Sequence, residues 1–384
     1  MGLSTPSCIS GSEEVAKIMK KVRLFGFAIL AALWLCLILG AWFGPTHDIS
    51  DSERRKLAQM PEISAENILS GKFMTKFEDF TLDQFPLRDS FRQLKALVHY
   101  NVLQQGDNND IYVADGYAAK LEYPLNKTSV SSALDKFNHL YDTYLRDTGC
   151  NIFVSVVPDK GLYLAESNGY PAMDYHALLA MVQETMNWAE FVDISDLLTV
   201  QDYYRTDTHW RQERLLDVAK RLCDTMGVAT FDATQMTALS VDKPFYGVYY
   251  GQAALPMDPE TIFYLTHDIL SGCTVYNFET GKTTAVYDME KLQSRDLYDI
   301  YLSGAAALLE ITNPAAETGR ELVVFRDSFG SSLIPLLVKD YETITVVDTR
   351  YIAPQLLSQY LSFENQDVLF LYSTLILNSS DALK

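Results

Sequence analysis

The strongest hydrophobic signal lies near the start of the chain. Residues 24–44 run for 21 positions without a charged side chain, long enough for a helix to cross a bilayer. Beyond them two periods alternate. Apolar residues recur at helical spacing through 73–104 (Phe73, Phe77, Phe80, Phe85, then a second helix from 89), through 131–147 (Leu134, Phe137, Tyr141, Tyr144, Leu145, with Gly149 as the stop), and through 174–188, 211–227 and 354–362. Between these come short, nearly continuous apolar runs at 151–157, 190–194, 322–325, 343–347 and 367–372. Such runs read as strands buried on both faces. Shorter strands are expected near 111–113 and 119–121. Strands alternating with helices imply an α/β chain with a parallel, doubly wound sheet flanked by helices.

The same pattern divides the chain. It predicts a cytoplasmic N-terminus at 1–23, a transmembrane anchor at 24–44, a polar stalk at 45–72 with Pro45, Pro61 and Gly71, and an extracytoplasmic α/β domain at 73–384. Residues 228–310 read as an irregular insertion of loops and strands that covers the site. The aromatic helices of 73–104 read as core packing under the main domain. Lys17, Lys20, Lys21 and Arg23 precede the apolar run and orient it with the N-terminus inside the cell. Arg54, Arg55 and Lys56 weaken that bias, though Asp48, Asp51 and Glu53 surround them. A cleaved signal peptide is the competing reading; the run is longer than a usual signal core, and no small-x-small site closes it. Leu33-Trp34-Leu35-Cys36 has the outline of a lipoprotein box, but Trp34 and Leu35 are too bulky and the run continues past the cysteine.

Composition narrows the function classes. The chain has 384 residues, 48% of them apolar, which is a globular composition. Residues 1–23 carry a charge of +2, which leaves −21 on the rest of a chain whose formal total is −19. No cationic excess is available for phosphates, so a general nucleic-acid binder is excluded. The five cysteines, Cys8, Cys36, Cys150, Cys223 and Cys273, show no CxxC spacing. A disulfide scaffold or thiolate zinc site is not expected.

The candidate chemistry gathers around residues 322–332. The run Leu-Val-Val-Phe ends at Arg326-Asp327-Ser328-Phe329-Gly330, and Ser331-Ser332 then open a helix that tolerates Pro335 in its first turn. Ser328 therefore sits in a strand-to-helix turn at the carboxyl end of a parallel strand, where open α/β sheets bind ligands. A serine nucleophile needs a base and an orienting acid. The segment Thr206-Asp207-Thr208-His209-Trp210 offers both: Asp207 and His209 point to one side of an extended chain, and the acid would bond the imidazole directly or after a local bend. Spacing alone leaves open a surface aspartate with a core histidine. A metal site using Asp207, His209, His267 or Asp268 lacks helical ligand spacing, and no metal or cofactor is expected. Lys160, in the turn that ends the 151–157 strand, is a candidate site residue or a solvated turn lysine. Arg326 is a candidate too, or else pairs with a carboxylate beside the strand end.

The motif Tyr203-Tyr-Arg-Thr-Asp-Thr-His-Trp210 resembles the one for which the bacterial DHHW proteins are named, with Thr208 where the name has a histidine. The Arg326–Gly330 turn resembles the family's serine block. Phe85-Pro-Leu-Arg-Asp89, Val157-Pro-Asp-Lys160, Phe245-Tyr246-Gly247 and Val347-Asp-Thr-Arg-Tyr351 are similar in kind and keep the block order. Relatives of that family are the SGNH-like acetyltransferases of alginate O-acetylation. The resemblance implies an SGNH-like fold, with Ser328 as nucleophile, His209 as base and Asp207 as orienting acid. It implies a polysaccharide acceptor outside the membrane and acetyl groups supplied by a separate membrane-bound O-acyltransferase. Acyl transfer through Ser328 would draw oxyanion donors from the Ser328 N–H and from a backbone N–H near Gly247 or Gly330, with Tyr246, Lys160 and Arg326 on the substrate side. An esterase using water as acceptor, and a non-catalytic polysaccharide-binding scaffold, are the rival classes.

Overall fold

The computed structural model describes residues 10–50 and 52–384. Cys8 and the expected cytoplasmic segment before Ser10 lie outside the described residues. The chain divides into two units, one made of the residues up to 51 with Arg55–Leu94, the other of Ser52–Arg54 with Lys95–Lys384.

In the first unit a single helix runs Ser10–Phe43. Its stretch Lys17–Phe43, 27 residues, is long and apolar enough to cross a membrane, and none of it is buried in protein. The helix starts before the apolar run because Lys and Glu are good helix formers. The helix Lys72–Asp83 buries no residue, and Arg88–Leu97 buries only Ala96. The aromatic spacing therefore makes apolar helix faces, with Phe73 stacked on Phe77 at 5.7 Å, and the expected core packing of these two helices is limited to Ala96. Helical period reports which side of a helix is apolar, not what covers it.

The second unit is built on an eight-stranded sheet: β1 Asn151–Val157, β2 Glu190–Phe191, β3 Thr274–Asn277, β4 Lys282–Ala285, β5 Leu308–Thr312, β6 Glu321–Arg326, β7 Thr343–Val347 and β8 Asp367–Ser373. Their order is β4-β3-β5-β7-β6-β8-β1-β2. β7, β6, β8, β1 and β2 are parallel, while β5, β3 and β4 add an antiparallel edge. The sheet is thus mixed and parallel-rich. The expected irregular insertion at 228–310 in part extends it, because β3 and β4 are short polar-alternating strands that carry no buried-run signal.

Side chains of the central strands alternate between two cores. Leu322 and Val324 of β6 and Leu369 and Leu371 of β8 enter one, with the Leu216–Met226 helix. Val323 and Phe325 of β6 and Val368 and Phe370 of β8 enter the other, with the helices Lys127–Leu140 and Tyr175–Thr185. Both faces are covered, so the apolar runs are continuous, and each such side chain contributes roughly 2–3 kcal/mol by leaving water. The register sets Phe325 level with Val347 and Phe370. The turns after β6, β7, β8 and β1 therefore share one edge of the sheet, and that edge carries the site.

Candidate active site

β6 ends at Arg326, and the next turn is built by Asp327. Its Oδ1 accepts the Phe329 N–H at 3.0 Å and its Oδ2 accepts the Ser373 N–H at 2.7 Å, which pins the turn to the end of β8. Gly330–Leu333 makes one helical turn, continued as a 3₁₀ helix through Ile334–Asp340; Pro335 has no N–H for a full α-helix. Ser328 stands between strand and helix, and is the one half-buried residue in the otherwise buried stretch 322–338.

The second component is the loop 203–210. Tyr203 and Trp210 form a bridge, and Tyr204 N–H donates to the His209 carbonyl at 3.1 Å, so the segment bends back on itself and is not extended. Asp207 Oδ1 accepts the His209 N–H at 3.0 Å and lies 2.6 Å from His209 Nδ1. The bend, not strand alternation, puts acid and imidazole together. His209 Nε2 is 2.8 Å from Ser328 Oγ. Trp210 Nε1 donates to the Phe329 carbonyl at 3.0 Å, and Gln212 Nε2 to the Ser332 carbonyl at 2.7 Å. The two sequence motifs are thus laced together on either side of the serine–histidine contact.

Asp207 is fully buried, and its Oδ2 accepts the Val248 N–H at 2.8 Å. Burial raises its carboxyl, but the charge and hydrogen bond of His209, with Arg54 behind, outweigh that and hold it well below the usual carboxylate range. An ionised partner on Nδ1 leaves Nε2 to face the serine. The ring of Tyr298 stacks on His209 at 4.0 Å with planes 8° apart, and its hydroxyl is 2.7 Å from Ser332 Oγ. Glu260 accepts the Arg205 and Thr206 N–H groups at 2.8 Å each and fixes the loop from below. Tyr298, Glu260 and Arg54 were not legible in the sequence: two lie in the stretch read as irregular, and the third in the stretch read as a stalk.

Other expected site residues are placed differently. Lys160 is only 2% exposed; its ammonium donates to the carbonyls of Ala118, Tyr204 (2.9 Å) and Arg205 (3.4 Å). It braces the loop instead of facing substrate, because the turn after β1 folds inward as the helical turn Gly161–Leu164. Arg326 is fully buried, 3.7 Å from Asp348 and bonded to Ser331 Oγ at 3.0 Å. The carboxylate pairing is realised and the substrate role is not. The Gly247 N–H donates to Thr206 Oγ1 at 2.9 Å and the Gly330 N–H to the Asp327 carbonyl at 3.1 Å. Both donors are spent within the protein, whereas the Ser328 N–H has no acceptor among the described residues. Tyr246 keeps an exposed side chain at 40%. His267 caps the Asp268–Gly272 helix through Nδ1, and among the described residues no group of His, Cys, Asp or Glu side chains is placed to hold a metal ion.

Fold and site define an α/β protein with a hydrogen-bonded serine, histidine and aspartate at the carboxyl edge of its sheet. Residues 193–347, which contain all three, match the DHHW protein family. A DHHW family protein from Eubacterium siraeum is 22% identical, with 72% of this chain and 94% of that one covered and a TM-score of 0.55. PatB1 from Bacillus cereus, solved with a sulfonyl adduct, is 18% identical, with 70% and 95% covered and a TM-score of 0.50. The O-acetyltransferase domain of Pseudomonas putida AlgJ is 13% identical, with 70% and 92% covered and a TM-score of 0.43. The first two likenesses show a shared SGNH-like fold. No match is found among curated proteins.

Proposed function

We propose that the protein is a serine O-acetyltransferase, anchored by its N-terminal helix, that moves acetyl groups to a polysaccharide outside the membrane. The observation that carries this reading is the Asp207–His209–Ser328 chain, with contacts of 2.6 and 2.8 Å, which ends on the half-buried Ser328 in the turn after β6. In the first step Ser328 Oγ attacks the acetyl carbonyl of a donor while His209 Nε2 takes the hydroxyl proton. The donor's leaving group departs with that proton and acetyl-Ser328 remains. In the second step a sugar hydroxyl gives its proton to His209 and its oxygen attacks the acetyl carbon. The sugar ester leaves and Ser328 regains its proton. Asp207 holds the tautomer and stabilises the imidazolium in both steps. The unpaired Ser328 N–H suits the oxyanion, and the exposed Tyr246 ring suits the sugar. The family resemblance supports the polysaccharide acceptor and the separate membrane-bound O-acyltransferase as acetyl supplier.

The test uses the full chain in detergent, wild type and Ser328→Ala, with an activated aryl acetate. Leaving-group release and an acetyl adduct by intact mass, in the wild type alone, are expected. Added oligosaccharide then separates transfer from hydrolysis: acetylated sugar supports the transferase, while acetate release unchanged by any sugar moves the assignment to an esterase. Equal inertness of both chains, with an intact fold, removes the enzyme reading.

A further inference from the structure

Two carboxylates crowd the back of the site. Asp207 is fully buried, and Asp296 lies close behind it with 29% of its side chain exposed. Asp296 Oδ1 accepts the Tyr298 N–H at 3.0 Å, so Asp296 also sets the ring that stacks on His209. Burial and the charge of Asp207 push the Asp296 carboxyl up, and Asp299 beside it is pushed up to about 6 by burial and by Asp296. Such a cluster keeps its charges only with a cation at close range.

Arg54 supplies that cation. Its Nη1 lies 2.5 Å from Asp296 Oδ2 and 3.7 Å from Asp207 Oδ2, and its Nη2 donates to the Tyr246 carbonyl at 2.5 Å. The guanidinium carbon sits 5.7 Å from the centre of the Phe245 ring, and the side chain is only 12% exposed. The backbone at Arg54 has φ 53°, a conformation that a non-glycine residue holds only when its surroundings fix it. These contacts all belong to the second unit, although Arg54 comes from the polar stretch that follows the long N-terminal helix and read as a stalk. Asp207 spends Oδ1 on His209 and offers Oδ2 to Val248 and towards Arg54.

We propose that Arg54 is a positioning residue of the site: its guanidinium offsets the repulsion between Asp207 and Asp296 and holds the Asp207 carboxylate on His209. As to reaction rate, the proposal rests on the reading of Ser328 as nucleophile; the charge coupling rests on geometry alone. The groups that face the Asp207–His209 pair are Ser328, Tyr298 with its hydroxyl on Ser332, Asp296, Asp299, Arg54, and Lys160 buried under the loop. Arg54 and Asp296 act on the imidazole with opposite signs. The arginine's charge opposes the positive charge that the imidazole gains during proton transfer, and the aspartate's charge favours it.

The experiment compares the wild-type full chain in detergent with Arg54→Met, Arg54→Lys, Asp296→Asn and Arg54→Met/Asp296→Asn. It reads the pH profile of Ser328 acylation by an aryl acetate, and the Tm at each pH by tryptophan fluorescence. The acid limb is expected to move up by roughly half a pH unit or more in Arg54→Met, down in Asp296→Asn, and back towards wild type in the double variant. Arg54→Lys should keep most of the wild-type profile. In Arg54→Met the Asp296 carboxyl has lost its cation and sits higher still in the folded state. Stability is then lost as pH rises above the ordinary carboxylate range, so the Tm deficit should grow between about pH 4 and 7 and vanish with Asp296→Asn. Limbs that shift in one direction, or not at all, overturn the proposal, as does a Tm deficit that ignores pH. Should the wild type itself resist acylation, the reading of Ser328 fails. The Tm series then decides the role of Arg54 alone, since a pH-dependent deficit relieved by Asp296→Asn supports the coupling and its absence overturns it.

Discussion

Lys160 Nζ donates to the Tyr204 carbonyl at 2.9 Å and ties the end of β1 to the loop that carries His209. Among the described residues no carboxylate pairs with it directly; its donors go to three carbonyls. Burial lowers the ammonium to about 7, against the pull of Asp207, Glu260 and Asp159. The lysine is a strut whose charge is expensive to bury and whose hydrogen bonds are expensive to lose.

Lys160→Met should therefore destabilise the protein by about 2–4 kcal/mol near neutral pH, because the buried Ala118 and Tyr204 carbonyls lose the ammonium as donor. The deficit should grow with pH. A lysine whose folded value lies below its unfolded one releases its proton earlier in the folded state. The wild type then gains stability relative to the variant between about pH 7 and the ordinary lysine value, by roughly 1.4 kcal/mol per pH unit at most. Below about pH 7 the difference should be flat. Chemical unfolding of both chains at pH 6, 7.5 and 9 measures it. A deficit that stays constant from pH 6 to 9 would show that the ammonium is paired and charged throughout.

Gly247 is constrained by space and not by its backbone angles, since its φ of −72° and ψ of 172° are open to any residue. A Cβ there would collide with the N, Cα and Cβ of Asp207. Gly247→Ala must push Asp207 off His209 or break the Thr206–Gly247 contact. Acylation of Ser328 is expected to fall at least about 100-fold, since a displacement of this kind misaligns the base. Tm should drop by several degrees but the fold should survive. Gly330→Ala is the control: its Cβ meets Arg326 side-chain atoms at 3.0–3.3 Å, and a smaller loss is expected.

The site was legible in sequence as far as chemistry has a local signature. Ser328 follows a four-residue apolar run, and the run fixes it at the carboxyl end of a strand. Asp207 and His209 stand two apart beside a tryptophan that locks onto the serine turn. What stayed hidden depends on burial or on distant partners. Lys160 carries a side chain that sequence assigns to solvent or substrate, yet it is almost fully buried, with its donors on carbonyls more than 40 positions away. Gly247 and Gly330 were expected as oxyanion donors, but whether a backbone N–H is free depends on its neighbours in space. The antiparallel edge β3-β4-β5 was missed because its outer strands bury one residue between them, Val275, and period-two patterns that short merge with loops. Arg54 read as a flanking charge because nothing local marks a residue that reaches 153 positions onward to Asp207.

Asp207→Asn keeps the shape of the loop and removes the charge. The amide can still accept from the His209 N–H, but it no longer compensates the imidazolium and can hold the wrong tautomer. A fall of roughly 10³–10⁴-fold in Ser328 acylation is expected. Stability should respond in acid. The Asp207 carboxyl is held below its unfolded value, so its contribution is present above about pH 4 and is lost as pH falls below that. Asp207→Asn should accordingly unfold with less acid dependence than the wild type.

Thr208 occupies the place where the DHHW name has a histidine. Its Oγ1 is the acceptor for Tyr249 OH at 3.0 Å, and Tyr249 is 5% exposed. Thr208→Ala strands that hydroxyl and should cost about 1–3 kcal/mol, while acylation changes by only a few-fold because, among the described residues, neither the Asp207 nor the His209 side chain hydrogen-bonds the Thr208 hydroxyl. A loss of acylation as deep as that of Asp207→Asn, in a folded Thr208→Ala chain, would give the hydroxyl a direct part in the reaction.

Tyr298 separates packing from hydrogen bonding around the base. Its ring covers one face of His209, and Phe329 lies against the imidazole at 5.0 Å. The two aromatics confine the ring to the plane that joins Asp207 to Ser328. The phenol is a different matter, since it bonds Ser332 away from the reacting atoms. Tyr298→Phe should therefore hold acylation within a few-fold and cost about 1–2 kcal/mol of stability for the stranded Ser332 hydroxyl. Tyr298→Leu keeps an apolar residue but loses the flat face, and the imidazole gains room to rotate. Acylation is expected to fall by at least about tenfold. Aryl acetate kinetics on both variants, with Tm measured alongside, distinguish the roles. Equal losses from phenylalanine and leucine would assign the effect to the hydroxyl and leave the stack as packing alone.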